Sequence, residues 1–138
     1  MSQHVTMNIE NREQFFNEAF RVLKKGAIFG FSEHGLGTKG SPIFPLPWAD
    51  NEDMSFLKTP EYTKSLLKKI GFKNIKIIST GEKYISGYNS LLKKGQSNEK
   101  PTLGIHVIGG DSMLERSKNS MRSIIENRTY PFEIICNR

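Results

Sequence analysis

The chain has 138 residues, a length that bounds it to one domain of ordinary size. Apolar residues make up 36% of it and charged ones 25%, a composition that supports a packed core and excludes disordered and fibrous classes. The formal net charge of +6 admits anionic partners, but the paired lysines (Lys24-Lys25, Lys68-Lys69, Lys93-Lys94) sit at the ends of predicted helices, where cations suit the dipole, so the charge reads as a solvated surface.

In chain order, Asn11 to Lys24 is the clearest predicted helix. Phe15, Phe16, Ala19, Phe20 and Leu23 fall on one face, Asn11 caps it with Gln14 three residues on, and Gly26 stops it. Ala27 to Ser32 is a short apolar run, read as a buried strand. From Gly35 to Leu57, Pro42, Pro45 and Pro47 exclude a regular helix or central strand. A loop of that length in a compact domain suggests a mobile or functional cover. Thr59-Pro60-Glu61 opens a second helix, with Tyr62, Leu66, Leu67 and Ile70 on one face and Gly71 at its end. Phe72 to Ser79 reads as a strand, and Glu82 to Lys94 as a helix carrying Tyr84, Ile85, Tyr88, Leu91 and Leu92. Gln96 to Pro101 is a polar break, and Leu103 to Ile108 fits a strand or a short buried helix. Asp111 to Asn127 is a helix capped by Asp111, with Leu114, Met121, Ile124 and Ile125 inward; Phe132 to Cys136 closes as a strand.

Helices alternating with strands make an α/β layer. Only three strands are clear, few for a closed sheet. The glycines Gly35, Gly37 and Gly40 spell G-x-G-x-x-G after a strand, but a dinucleotide loop must lead into a helix and this one leads into Ser41-Pro42. The spacing is therefore read as part of a flexible loop. Cys136 is the single cysteine, so no internal disulfide forms, and its apolar surroundings suggest a buried structural thiol in a reducing, cytoplasmic setting. No apolar run approaches the ~20 residues of a membrane span, and Met1 to His4 lack the features of a signal peptide. The charge comes without a recognition-helix motif, so nucleic acid is not the expected partner. His4, His34 and His106 have no metal-ligand spacing.

The segments "QHVTMNIENREQFFNEAFRVLKKGAIFGFSEHG", "PLPWADNEDMSFLKTPEYTKSLLKKIGFKNI" and "PTLGIHVIGGDSMLERSKNSMRSIIENRTYPFEIICNR" together resemble the C-terminal half of class I S-adenosylmethionine-dependent methyltransferases. The small-molecule branch, with sarcosine/dimethylglycine and quinone-pathway enzymes, is the most similar. "RVLKKG" is similar to that fold's R-x-L-K-P-G-G helix end, with Lys25 where Pro is usual and Ala27 where the second Gly is usual. The resemblance implies a Rossmann-like sheet in which Ala27–Ser32 is the fifth strand, Phe72–Ser79 the sixth and Phe132–Cys136 the antiparallel seventh. Residues 1–80 would form the core, 81–128 a helical insertion and 129–138 the final strand. The family's glycine-rich cofactor loop and ribose-holding acid have no counterpart here, so the first four strands would be missing and the fifth would present an unpaired apolar edge.

The resemblance also implies site residues. Ser2, Gln3 and His4 match the segment beside the cofactor's methionine end, and His4 could accept a proton, although a loose terminus is the alternative. Asn8 stands on the substrate side, where phosphobase methyltransferases carry a catalytic His. Glu33 and His34 end the predicted fifth strand, where ligands of open α/β sheets bind, and His34 could act as a base; a solvated strand end is the alternative. Phe44, Pro47 and Trp48 match a segment over the substrate pocket, and a Trp face can hold a cationic amine or a flat ring; simple core anchoring is the alternative. His106 matches a substrate-covering insertion; a satisfied, semi-buried histidine is the alternative.

The expectation is a methyltransferase acting on a small-molecule acceptor with S-adenosylmethionine, incomplete without an N-terminal cofactor-binding half. The alternative is a non-catalytic module that associates, with itself or with a complementary half, through the exposed sheet edge.

Overall fold

The computed structural model describes residues 1–95 and 112–138. It is a mixed α/β fold. Among the described residues four strands form one sheet: β1 (Ser2–Gln3), β2 (Ile28–Leu36), β3 (Lys73–Ser79) and β4 (Thr129–Asn137), in the order β1-β2-β4-β3. β1 runs parallel to β2, with Ser2 opposite Phe31 and Gln3 opposite Ser32. The last strand inserts between β2 and β3 and is antiparallel to both. Four helices complete the described chain: α1 (Arg12–Val22), α2 (Pro60–Ile70), α3 (Gly81–Gly95) and α4 (Met113–Ile125).

Local chemistry sets the element ends. Asn11 Oδ1 accepts from the Gln14 amide at 3.0 Å, and Thr59 Oγ1 accepts from the Tyr62 amide at 3.2 Å, with Pro60 leading α2. Such caps contribute about 1 kcal/mol each. Gly71, at φ +115°, takes the left-handed conformation that ends α2.

The register places Phe29 opposite Cys136, Phe31 opposite Ile134 and Glu33 opposite Phe132, so these side chains share one sheet face. Phe16 of α1 and Leu66 and Leu67 of α2 pack on that face, with Phe15, Ala19, Phe20, Leu23 and Ile70 at its margin. Each large side chain buried there is worth about 1.5–3 kcal/mol. Cys136 is fully buried, and burial pushes its thiol up to about 11, as expected of a structural cysteine. On the opposite face Ile28, Ile135 and Ile78 are 69%, 42% and 41% exposed.

Several expectations change. β2 runs on to Leu36, so Glu33 and His34 lie within the strand and not at its end. The N-terminus is not frayed: Ser2 and Gln3 pair with β2, and the His4 amide donates to the Ser32 carbonyl at 2.9 Å. Tyr62 faces outward, where Lys58 Nζ lies 5.6 Å from its ring centre. In α4, Leu114 and Ile125 are exposed, while Met113, Ser117, Ser120 and Ser123 are buried. Small side chains there allow close approach to α3. The 111 cap and the 103–108 segment lie outside the described residues.

The proline-rich loop is pinned. Arg116 Nη1 donates to the Leu46 carbonyl at 2.7 Å, Asn119 Nδ2 to the Pro45 carbonyl at 3.1 Å, and the Ile43 amide to Ser123 Oγ at 3.0 Å. Gly35 and Gly37 are not in a flexible loop either. A Cβ at Gly37 would fall 2.1 Å from the Asn127 carbonyl oxygen, and one at Gly35 2.5 Å from the Phe132 ring. These glycines permit close packing of the β2 end.

Candidate functional site

The site begins from a buried charge. Phe29, Phe31 and Glu33 alternate onto the core face, so the acid needs a partner there. Arg12, in the first turn of α1, provides it: Nη1 donates to the two Glu33 oxygens at 2.9 and 2.7 Å and to Thr63 Oγ1 at 3.2 Å. Nη2 donates to the carbonyls of Thr6 (3.2 Å) and Phe56 (3.0 Å). The Thr6 and Thr63 hydroxyls donate to Glu33. Burial raises the Glu33 pKa, and Arg12 opposes that shift. This network joins the β1–α1 turn, β2, the long loop and α2. Sequence reading missed Arg12; the signal was the acid falling in step with two core phenylalanines.

The next residue, His34, points to the other face. It is 2% exposed. The Trp48 ring lies 4.6 Å from its ring centre, tilted 33°, and the Tyr84 ring meets it edge-on at 4.8 Å. His4 approaches to 5.8 Å. Burial, then the nearby His4, pushes the His34 pKa down to about 3. Its Nδ1 has no hydrogen-bond partner among the described residues.

His4 sits just past β1 at φ +53°. It is exposed overall, with enough of its ring enclosed that desolvation lowers its pKa. Its Nε2 lies 2.7 Å from Tyr84 Oη. Burial, with Tyr88 and Glu133 nearby, pushes the Tyr84 phenol up to about 12. One turn on, Tyr88 Oη accepts from Ser120 Oγ at 2.9 Å, tying α3 to α4. Trp48 Nε1 donates to Ser55 Oγ at 3.1 Å. Trp48, Pro47, Asp50, Met54, Met113 and Arg116 line a concavity of about 300 Å³ beside the cluster.

Of the residues singled out from sequence, His4, His34 and Trp48 come together, and Pro47 lies next to them. Ser2 and Gln3 flank His4 on β1. Glu33 is turned away, its oxygens engaged by Arg12 and two threonines, so it holds the scaffold and does not face a ligand. Asn8 is exposed and Phe44 half-buried; among the described residues neither shares a hydrogen bond or ring contact with the cluster. His106 lies outside the described residues. Tyr84 belongs to the cluster and was named from sequence only as a helix-face residue.

S-adenosylmethionine, which the sequence resemblance implies, needs a cradle for its adenosine and an acid for its ribose. Gly35 and Gly37 are closed by packing, and Glu33 is engaged. Ser2, Gln3 and His4, which the resemblance sets beside the methionine end, lie on and just past β1. Among the described residues no group of three His, Cys, Asp or Glu could hold a metal ion, and no helix is long and apolar enough to cross a membrane.

No protein-family model and no curated relative matches the sequence. Solved structures do match. The chain is similar to phosphoethanolamine N-methyltransferase 2 of Haemonchus contortus, solved with phosphomonomethylethanolamine and S-adenosylhomocysteine: TM-score 0.78 at 14% identity, over 99% of this chain and 32% of that one. It is similar to a Galdieria sulphuraria protein described as a sarcosine dimethylglycine methyltransferase (TM-score 0.71, 14% identity, 98% of this chain and 50% of that one). It is also similar to geranyl diphosphate C-methyltransferase of Streptomyces coelicolor A3(2) (TM-score 0.65, 15% identity, 99% of this chain and 45% of that one). The chain thus spans about a third to a half of the length of the structures it matches. It has the fold of the C-terminal part of S-adenosylmethionine-dependent methyltransferases.

Proposed function

We propose that this chain is the acceptor-side half of an S-adenosylmethionine-dependent methyltransferase for a small molecule, with the adenosine contacts supplied by polypeptide outside this sequence. The observation that carries the reading is the convergence of His4 and His34, from neighbouring parallel strands, against Trp48 and Tyr84. His4 stands just past the carboxyl end of β1, the kind of position where ligands of open α/β sheets bind. The fold likeness to structures carrying S-adenosylhomocysteine supports the choice of cofactor.

Methyl transfer requires an oriented nucleophile, exclusion of water and a destination for the acceptor's proton. When bound, the cofactor supplies the methyl group on a sulfonium. In this reading His4 accepts the proton: its Nε2 lies 2.7 Å from Tyr84 Oη, and desolvation lowers its pKa, which keeps the imidazole neutral and able to take a proton. His34, held near 3, is neutral and a weak base, so it orients the acceptor through Nδ1, which has no hydrogen-bond partner among the described residues. The Trp48 and Tyr84 rings wall off water and favour a flat or amine-bearing acceptor.

Trp48 is the only tryptophan, so its fluorescence reports on the site. Small amines, carboxylic acids and quinols are titrated against the chain. A saturable change with at least one class is expected, and silence from all of them sinks the acceptor-side reading. Calorimetric titration with S-adenosylmethionine is expected to give no micromolar binding; finding it would place the donor site on this chain.

A second reading is favoured by the exposed Ile28, Ile78 and Ile135 and by the short β1, which pairs with β2 only at Phe31 and Ser32. On it the chain is a non-catalytic module that self-associates through the β2 edge, which β1 covers only in part, with the exposed isoleucine face beside it. Sedimentation showing a monomer at high concentration would remove that reading.

A further inference from the structure

We infer that Tyr84 is the proton-handling partner of His4: its phenol donates to His4 Nε2, holds the imidazole in the Nδ1–H tautomer, and relays an acceptor's proton to it. This rests on the acceptor-side reading above. The oxygen–nitrogen distance is 2.7 Å across 80 residues of sequence.

Both partners are held in place. The Thr80 amide donates to the Pro131 carbonyl at 3.0 Å, and the Tyr84 amide to the Thr80 carbonyl at 3.1 Å. The first turn of α3 is thereby fixed to β4 at Pro131, the residue paired with His34. Tyr88 anchors the following turn through Ser120. On the other side, His4 adopts a left-handed conformation, unfavourable for a non-glycine residue, that the surrounding structure holds in place. The hydrogen bond that its backbone N–H donates to the Ser32 carbonyl keeps it at the end of β1, while this turn takes the ring out of the strand's alternation toward α3.

Among the described residues, the groups facing the pair are His34, Tyr88 and Glu133. His34 is neutral, and both Tyr88 and Glu133 push the Tyr84 pKa up, so none of the three favours ionising the phenol. The phenol keeps its proton through the neutral range and is the natural donor. Which imidazole nitrogen carries hydrogen is set by the bond that the other one makes. Nε2 accepts, so Nδ1 carries the hydrogen. In the relay, the acceptor's X–H bond breaks and its electron pair stays on X. The proton joins Tyr84 Oη as the Oη proton moves to Nε2. Tyr84 ends as a phenol and His4 as an imidazolium, a net transfer of one proton from X to His4.

The test is nitrogen NMR of the full chain with labelled histidine at pH 8, His4 being assigned among the three histidines by His4→Gln. The Nδ1–H tautomer of His4 is expected to predominate in the wild type. Tyr84→Phe is expected to shift the ratio about threefold or more toward the Nε2–H form that imidazole prefers in water. A wild-type His4 in the Nε2–H form overturns the inference, and so does a ratio unchanged by Tyr84→Phe. Should that variant fail to fold, the wild-type tautomer alone decides. No acceptor or cofactor is needed, so this test and the Trp48 titration fail independently.

Discussion

The Arg12 guanidinium lies 2.7 Å from the Glu33 carboxylate, and the two side chains are 2% and 0% exposed. Removing one member of such a pair leaves a buried charge, which costs about 3–5 kcal/mol, whereas replacing both with apolar groups costs far less. Arg12→Met is therefore expected to lower the stability to urea by that amount, and Arg12→Met with Glu33→Leu to regain more than half of it. Burial already raises the Glu33 pKa against the pull of Arg12, and losing Arg12 raises it further. A raised folded-state pKa penalises the fold above it, so the Arg12→Met deficit should shrink between pH 7.5 and pH 5. A deficit under about 1 kcal/mol at pH 7.5 would show that the pair does not anchor the site.

His34 makes stability pH-dependent in the opposite sense. Its folded-state pKa, near 3, is below the ordinary 6.5. Below pH 6.5 the unfolded chain takes up a proton that the folded chain refuses. Stability is thus fully present above that pH and falls as the pH drops toward 3, by on the order of 5 kcal/mol over the whole window. His34→Gln should flatten the difference between pH 7 and pH 4.5 in denaturant titrations. Equal slopes in wild type and variant would show that His34 is not held neutral.

Gly37 and Gly87 should respond oppositely to alanine. A Cβ at Gly37 meets the Asn127 backbone, while at Gly87 nothing lies within 4 Å. Gly37→Ala is expected to cost on the order of 3 kcal/mol, as overpacking does. Gly87→Ala, inside α3, should add about 0.5–1 kcal/mol. Melting temperatures of the two variants check the pair, and a tolerated Gly37→Ala would mean that the β2 end is not packed as described.

Arg116 holds the long loop through the Leu46 carbonyl and Asp50. Arg116→Ala is expected to cost about 1–3 kcal/mol and to move Trp48 emission to the red as its ring meets water. Faster amide exchange should be confined to residues 43–50. An unchanged emission maximum would place the anchoring elsewhere.

Much of the fold was legible because its signals are local. A capping side chain, the Pro60 start of α2, the Gly71 stop and the 3.6-residue stripe of Phe16, Phe20 and Leu23 depend on neighbours a few residues away. His4, His34 and Trp48 could be singled out from chemistry and from resemblance. The tertiary structure alone decided the rest. Burial of Ser117, Ser120 and Ser123 instead of Leu114 and Ile125 depends on how closely α3 approaches α4, which no periodicity within α4 can specify. Arg12 became an internal partner of Glu33, and Tyr84 a partner of His4, only when positions 21 and 80 apart in sequence were folded together. The chain sequence determined which side chains could hydrogen-bond or ionise; the close approach of distant segments, which sets desolvation and partner, determined which of them do.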